Sequence, residues 1–123
     1  MSKPLALVYY SNLMPGSQLS NRLKDLGYRV ETLETLGQLP AACESGKPLV
    51  VIAELLPAVP ACAAISEVKK NPATQHIPVL AFTAVHDPAI QAQAVESGVA
   101  LLAGNAAIAE QLPQLLDQIL QVE

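Results

Sequence analysis

The segment that most constrains what this chain can fold into is an apolar run, Ile77–Phe82, which carries no charge and ends at the lone hydroxyl of Thr83. An uncharged run of this length, bounded by turn residues, is typical of a strand buried on both faces. A helix-ending segment, Lys69–Gln75, precedes it, and Asp87-Pro88 can start another helix after it. The run is therefore predicted to be the strand of an αβα unit. Its carboxyl end, at Thr83, is where open α/β sheets place their functional sites.

Other apolar runs alternate with amphipathic segments in the same way. A turn is predicted at Pro15-Gly16, and a loop is predicted to hold Pro57 and Pro60. The predicted strands are Leu5–Tyr10, Tyr28–Leu33, Leu49–Ala53, the run described above and Val99–Ala103. The predicted helices are Ser17–Leu26, Leu39–Glu44, Ala61–Lys70, Pro88–Ser97 and a final segment that either begins near Leu112 or kinks at Pro113. Five strands alternating with five helices indicate one α/β domain over residues 1–123, with three layers around a doubly wound parallel sheet.

The composition excludes several classes of function. Hydrophobic residues make up 51% of the chain and charged residues only 15%, which excludes a disordered protein. The net charge of −4 argues against nucleic acid as a partner, because binding to its backbone needs clustered Lys and Arg. No apolar segment reaches the ~20 residues of a membrane span, and no secretory signal opens the chain. A cytoplasmic protein without a membrane partner is predicted.

Two cysteines, Cys43 and Cys62, lie far apart in the sequence, each inside a helical apolar pattern. This placement predicts two buried free thiols in a reducing compartment. A metal site would need ligands at close spacing, which His76 and His86 do not supply. No metal and no cofactor is predicted.

Several segments match one family closely. Val68–Pro78 follows the exit of that family's third helix, Val79–Ala84 follows its fourth strand, and Ser97–Ala100 follows the exit of its fourth helix. Leu26–Val30 matches its first helix-to-strand turn. The chain resembles the response-regulator receiver domain, the CheY-like module of two-component signalling and phosphorelays. The resemblance covers nearly the whole chain and implies a flavodoxin-like fold with strand order 2-1-3-4-5.

The resemblance also implies where a phosphorylation site would lie. Receivers bind Mg²⁺ through two acidic residues after the first strand, and a hydroxyl and a lysine after the fourth and fifth strands contact the phosphoryl oxygens. On this sequence the acidic pair falls at Tyr9 and Tyr10, and the lysine falls at Asn105. Neutral phenols are poor magnesium ligands, and an asparagine cannot supply the positive charge that the phosphoryl group requires. The aromatic switch position is Leu102, and Thr83 alone is retained.

The acceptor aspartate of a receiver ends the third strand, and two positions compete for that place here. Counting back from Pro57 through a stretch that matches without gaps gives Ala53. Counting forward from Pro48 gives Glu54, because the third strand is one residue short. We favour Ala53, since the downstream register is better fixed. Tyr9, Tyr10, Ala53, Glu54, Thr83 and Asn105 are then the residues of a vacated phosphorylation pocket.

These losses predict a degenerate receiver, or pseudo-receiver, that is not an enzyme and acts through protein–protein contact or dimerisation. A second hypothesis is a small-ligand sensor with an apolar cleft in the vacated pocket; some pseudo-receivers of clock signalling use quinone-like ligands. The walls of that cleft would be Tyr9, Tyr10, Ala53 and Leu102. A third hypothesis is an atypical receiver in which Glu54 accepts the phosphoryl group or mimics it. The plainer interpretation of a carboxylate at a strand end is that it is solvated.

The resemblance suggests a partner surface as well. In receivers the face formed by the fourth helix, the fifth strand and the last helix contacts a partner or a second copy. Here the last two predicted helices carry few charges among glutamines, which favours such an interaction surface. The apolar loop Leu55–Pro60 is predicted with equal weight to be a contact surface or to be buried. An output or kinase domain in a longer chain would be a further partner.

Overall fold

The computed structural model describes residues 5–10, 13–33, 35–46, 48–55, 58–83 and 87–120. Its centre is a sheet of five parallel strands in the order β2-β1-β3-β4-β5. The strands are β1 (Leu5–Tyr9), β2 (Arg29–Leu33), β3 (Val50–Glu54), β4 (Val79–Thr83) and β5 (Leu101–Gly104). The predicted strand order 2-1-3-4-5 is confirmed. Within the described residues, no helix has the length and the apolar character needed to cross a membrane.

Helices connect successive strands and cover both faces of the sheet. They are α1 (Leu13–Asp25), α2 (Leu39–Gly46), α3 (Ala58–Lys70), α4 (Pro88–Ser97), α5 (Asn105–Glu110) and α6 (Leu112–Leu120), and a 3₁₀ turn (Leu36–Gln38) leads into α2. Each connection returns the chain to the amino edge of the sheet, as parallel strands require.

Two prolines lie inside helices, where the sequence suggested a turn and a loop. The predicted turn at Pro15-Gly16 is wrong, because both residues belong to α1. The predicted loop position of Pro60 is also wrong, because Pro60 is the third residue of α3. The amide groups of a first helical turn have no intrahelical acceptor, so a proline there gives up no hydrogen bond.

The predicted final helix is two helices. A short α5 ends at Gln111, whose backbone leaves the helical region with φ −114° and ψ 22°. The second helix, α6, then begins at Leu112 with Pro113 as its second residue. The expectation of a start near Leu112 is confirmed, and α5 is the part that the sequence did not reveal.

The ends of α4 follow the signals in the sequence. The carboxylate of Asp87 accepts a hydrogen bond from the amide of Ala89 at 2.9 Å and caps the helix, and Pro88 follows at its first position. Gly98 ends the helix with a φ of 102°, and Gly27 plays the same part after α1 with a φ of 94°. Both positions need the left-handed backbone that glycine adopts freely.

Each face of the sheet has its own hydrophobic core. Against the first face pack α2, α3 and α4, through side chains such as Cys43, Ile65 and Ala94. Against the second face pack α1, α5 and α6, through side chains such as Leu19 and Ile108. Strand β4 contributes side chains to both cores, which confirms the prediction of a strand buried on both faces. The carboxyl edge of the sheet, where β1, β3, β4 and β5 all end, is the place to look for a site.

Candidate functional site at the carboxyl edge of the sheet

One row of paired residues crosses the sheet near its carboxyl edge. Tyr9 of β1 lies opposite Ala53 of β3, Ala53 lies opposite Ala81 of β4, and Ala81 lies opposite Leu102 of β5. Tyr9 is 7% exposed, and Ala53 and Ala81 are fully buried in the first core. Leu102 packs against the same core and is partly buried. The row is therefore a layer of packed apolar side chains.

Glu54 belongs to the next row, where it lies opposite Phe82. Its side chain is only 2% exposed, so the expectation of a solvated carboxylate is wrong. The reason is the position of β3 between β1 and β4, together with the burial of the next residue, Leu55, whose amide donates to the carbonyl of Phe82 at 2.9 Å. Because β3 is a central strand and the residue after Glu54 is buried, the Glu54 side chain has almost no contact with solvent.

The Tyr9 phenol and the Glu54 carboxylate interact electrostatically. Burial raises the pKa of Tyr9, and the negative charge of Glu54 raises it further. The phenol therefore stays protonated at neutral pH and remains a weak ligand for a hard cation. Tyr10, the next residue, is half-buried against the second core, so successive tyrosines pack on opposite faces.

Two further positions of the predicted pocket lie where β4 and β5 end. Thr83 is half-exposed and lies opposite Gly104. Asn105 follows Gly104 directly and is the first residue of α5. The strands thus bring these two positions to the same edge as Ala53 and Glu54.

At the level of sequence, no protein-family model matches the chain, and a comparison with curated proteins finds no match. The fold, in contrast, has solved counterparts over almost its full length. A putative response regulator from Chloroflexus aurantiacus superposes with a TM-score of 0.87 at 19% identity, covering 98% of this chain and 100% of that chain. Chemotaxis protein CheY4 from Vibrio cholerae gives a TM-score of 0.83 at 18% identity, covering 96% and 99%.

A third counterpart is the receiver domain of a sensor histidine kinase from Pseudomonas aeruginosa, solved with a magnesium ion coordinated in its active-site cleft. It gives a TM-score of 0.86 at 17% identity and covers 98% of this chain and 100% of that chain. This chain has the response-regulator receiver fold. At such identities the likeness establishes the fold, and what the chain does must be argued from its own residues.

Within this receiver fold, the described residues offer no cluster of three or more histidine, cysteine, aspartate or glutamate side chains that could hold a metal ion. At the carboxyl edge Glu54 is a buried acid, and it lies opposite Phe82 of β4. The assignment of Tyr9, Tyr10, Ala53, Thr83 and Asn105 to a vacated pocket stays a prediction.

The ligand-sensor hypothesis requires that the four residues lining the cleft be accessible, and two of them are buried. Tyr9 and Ala53 are packed into the first core, so in this structure they present little surface to a ligand. The loop proposed as a contact surface is also partly closed, because Leu55 is 1% exposed, although Pro60 is exposed. Leu56 and Pro57 lie outside the described residues.

A second polar cluster, which no sequence pattern indicated, lies near the amino edge of the sheet around the exit of α3. The Nζ of Lys69 donates to the carbonyl of Ile77 at 2.6 Å and to that of Gln75 at 3.2 Å. Burial raises the pKa of the Cys43 thiol to about 11, and the positive charge of Lys69 opposes that rise. Both cysteines are free and buried, as predicted. These contacts fix the end of α3 against the loop before β4.

Proposed function

We propose that this chain is a pseudo-receiver, a signalling module of receiver fold that works without phosphorylation and catalyses no reaction. The observation that carries the proposal is the state of the residue near the end of β3 at which the resemblance to receivers predicts the acceptor. Ala53 has no nucleophilic group, and it is fully buried between Tyr9 and Ala81. Phosphoryl transfer to a protein needs a nucleophile that can reach the phosphorus atom.

The electrostatics of the same edge support the proposal. A phosphoryl group and its magnesium ion need carboxylate ligands and a cation in fixed positions. Tyr9 stands where the family has an acid, and it is held neutral by burial and by Glu54. Replacing the charged set by a packed apolar layer stabilises the fold while removing the reaction.

Phosphorylation by a small donor tests the proposal directly. The chain is incubated with acetyl phosphate and Mg²⁺, and its intact mass is measured after mild handling. We expect no phosphoryl adduct, whereas a receiver that has its full acidic set, treated in parallel, gains one. A stable adduct on this chain would contradict the proposal.

Glu54 is the alternative acceptor or a fixed mimic of the phosphorylated state, and one substitution tests both roles. Glu54→Gln keeps the size of the side chain but removes its charge. We expect the adduct level and the association state to stay unchanged, with the exposed Glu110→Gln as the matched control. A thermal melt of each variant shows that the fold is kept. A change confined to Glu54→Gln would assign a signalling role to this carboxylate.

We place the partner contact on the face formed by α4, β5 and α6. Val95 of α4 is 72% exposed, the largest exposure among the exposed large hydrophobic side chains of the described residues. Strand β5 is an edge strand whose residues are each half-exposed. A helix face with few charges beside a free strand edge is the kind of surface that a partner protein or a second copy covers.

The dimerisation form of this proposal is tested by Val95→Asp. Sedimentation equilibrium should show weaker self-association for Val95→Asp than for the wild type, because a charge would have to be buried at the contact. Leu49→Asp, at a site 44% exposed on another part of the surface, is the matched control. Equal loss in both variants would argue against a contact centred on α4.

A further inference from the structure

The positive charge of this acidic chain is concentrated around one exposed leucine. Three of its seven basic residues lie between positions 22 and 29, in a chain of net charge −4. Arg22, Lys24 and Arg29 are all exposed, and Asp25 is the single acid of that segment. Between them Leu26 leaves 43% of its surface open. We call this turn, residues 22–29, the Leu26 knob.

The turn that carries Leu26 is held firmly. The amide of Leu26 donates to the carbonyl of Arg22 at 3.0 Å, and the amide of Tyr28 donates to that of Leu23 at 3.0 Å. Leu23 itself is fully buried in the second core. An exposed apolar side chain on a rigid turn can be buried by a partner with little loss of conformational entropy.

A groove between α2 and α3 has the complementary character. Its volume is about 430 Å³, and it exists because the facing residues of the two helices are small. Ala64 is buried at 6% exposure, while Ala41, Pro60 and Ala63 are exposed. Its lining includes Pro40, Ala41, Pro60, Ala63, Ala64 and Glu67. Small apolar walls leave room for a larger apolar side chain from outside.

The charges of the two surfaces are opposite. Glu67 is the charged residue in the lining of the α2–α3 groove, and Glu96 is the charged residue in the lining of a neighbouring groove of about 330 Å³ between α3 and α4. Among the described residues, no basic side chain lines either groove. The Leu26 knob, in contrast, carries three bases and one acid. Complementary charges of this kind steer and orient an encounter.

The two surfaces cannot meet within one chain. Helix α1, which leads into the knob, packs on the second face of the sheet, and α3 packs on the first. We propose that the Leu26 knob of one copy seats in the α2–α3 groove of a second copy, with Leu26 against the alanines and the bases near Glu67. The contact is head-to-tail, so it joins two different surfaces and leaves one of each free at the ends. It is distinct from the α4–β5–α6 face.

Self-association and its loss in two single variants test the contact. Light scattering after size exclusion, from about 10 µM to about 1 mM, should show a wild-type mass that rises with concentration. Leu26→Ser removes the apolar anchor, and Ala63→Arg fills the groove. Each should weaken association by at least about tenfold. Both positions are exposed, so both variants should fold, and circular-dichroism melts verify this.

A mixture of the two variants tests whether the Leu26 knob of one copy meets the α2–α3 groove of another. Leu26→Ser keeps an intact groove, and Ala63→Arg keeps an intact knob. An equimolar mixture should therefore form a heterodimer that grows no further, although each variant alone is monomeric. The wild-type mass separates this contact from a symmetric one: a head-to-tail contact lets the mass rise past that of a dimer, whereas a symmetric contact stops at the dimer.

Three outcomes would overturn the inference. They are a wild-type chain that stays monomeric across the concentration range, a mixture that forms no heterodimer, and association that survives Leu26→Ser and Ala63→Arg. If association persists in these two variants but is lost in Val95→Asp, it belongs to the α4 face. The result of the acetyl phosphate experiment is independent of all three.

Discussion

Raising the pH should unfold this protein partly through one thiol, that of Cys43. This residue has no exposed surface, and burial raises its pKa to about 11 from an ordinary value of 9.0. Above pH 9 the thiol of the unfolded chain loses its proton, while the thiol of the folded chain keeps it. The native state then binds more protons than the unfolded state, so the free energy of unfolding falls as the pH rises from 9 towards 11.

The size of the effect follows from the shift. Cys43 should lower the free energy of unfolding by about 1 kcal/mol at pH 10 relative to pH 8, because the thiol is mostly deprotonated in the unfolded chain at pH 10 and mostly protonated in the folded chain. The full shift would remove about 3 kcal/mol above pH 11. Lys69 acts in the opposite direction: its burial lowers its pKa, so the stability that this group contributes rises as the pH approaches 10.5. The comparison with Cys43→Ala separates the two contributions, because both chains carry Lys69.

The assay compares wild type with Cys43→Ala by urea unfolding, followed by far-ultraviolet circular dichroism, at pH 8, 9 and 10 in the presence of a thiol-free reductant. At pH 8 the variant should be less stable by about 1 kcal/mol or more because of lost packing. The difference in the free energy of unfolding between wild type and variant should narrow by about 1 kcal/mol at pH 10, since the variant has no thiol to titrate there. Cys62→Ala is the matched control: burial also raises the pKa of Cys62, but the hydrogen bond with Ser97 opposes the rise. A Cys43→Ala gap that stays constant from pH 8 to pH 10 would refute the reasoning.

Three further predictions concern stability and are checked by the same urea unfolding at pH 7. Thr74→Val should cost about 1–2 kcal/mol, because the buried Thr74 hydroxyl donates to the carbonyl of Val68 at 2.7 Å; a cost within error would show that this hydrogen bond contributes nothing. Gly98→Ala should cost more than Gly27→Ala. Both glycines have positive φ and each substitution should cost about 1 kcal/mol in backbone strain, but a Cβ at Gly98 would also lie 2.8 Å from a side-chain carbon of Lys69; equal costs would refute the added clash. Asp87→Ala should cost about 1 kcal/mol through the lost cap of α4, with no change expected from the conservative Asp87→Asn.

The parts of the fold that were predictable are those with a local cause. Strand β4 was evident because an uncharged run has a single stable arrangement, buried on both faces between helices. The ends of α4 were predictable because Asp87, Pro88 and Gly98 each affect only the helix backbone within one turn of their own position. The strand order followed from the resemblance to receivers, since the length and spacing of the segments match that family.

The errors arose where local signals allow two structures. A proline in the first turn of a helix and a proline in a loop have the same sequence signature, so Pro15 and Pro60 were placed outside their helices. The division of the last helix at Gln111 escaped notice for a related reason, because the apolar pattern continues across the break. Periodicity reports which side of a segment is apolar, but it does not report where a backbone leaves the helical region.

The candidate site, like the fold, was predictable only in part. The residue types at the carboxyl edge are a property of the sequence, and the resemblance to receivers predicts that an alanine and two tyrosines stand where a receiver has acids. Their surroundings depend on the fold. Glu54 is buried because β3 is flanked by two strands and followed by the buried Leu55, and neither neighbour strand is near it in sequence.

By itself, then, the sequence determined the class of the domain and the order of its elements, and through the resemblance to receivers it predicts which chemical groups the carboxyl edge lacks. The tertiary structure alone decided which of the remaining groups meet water, because burial is set by residues distant in the chain. It placed Glu54 beside Tyr9, it enclosed Cys43 near Lys69, and it left Leu26 exposed beside three bases. Each of these pairings depends on packing between elements, which no local pattern of residues records.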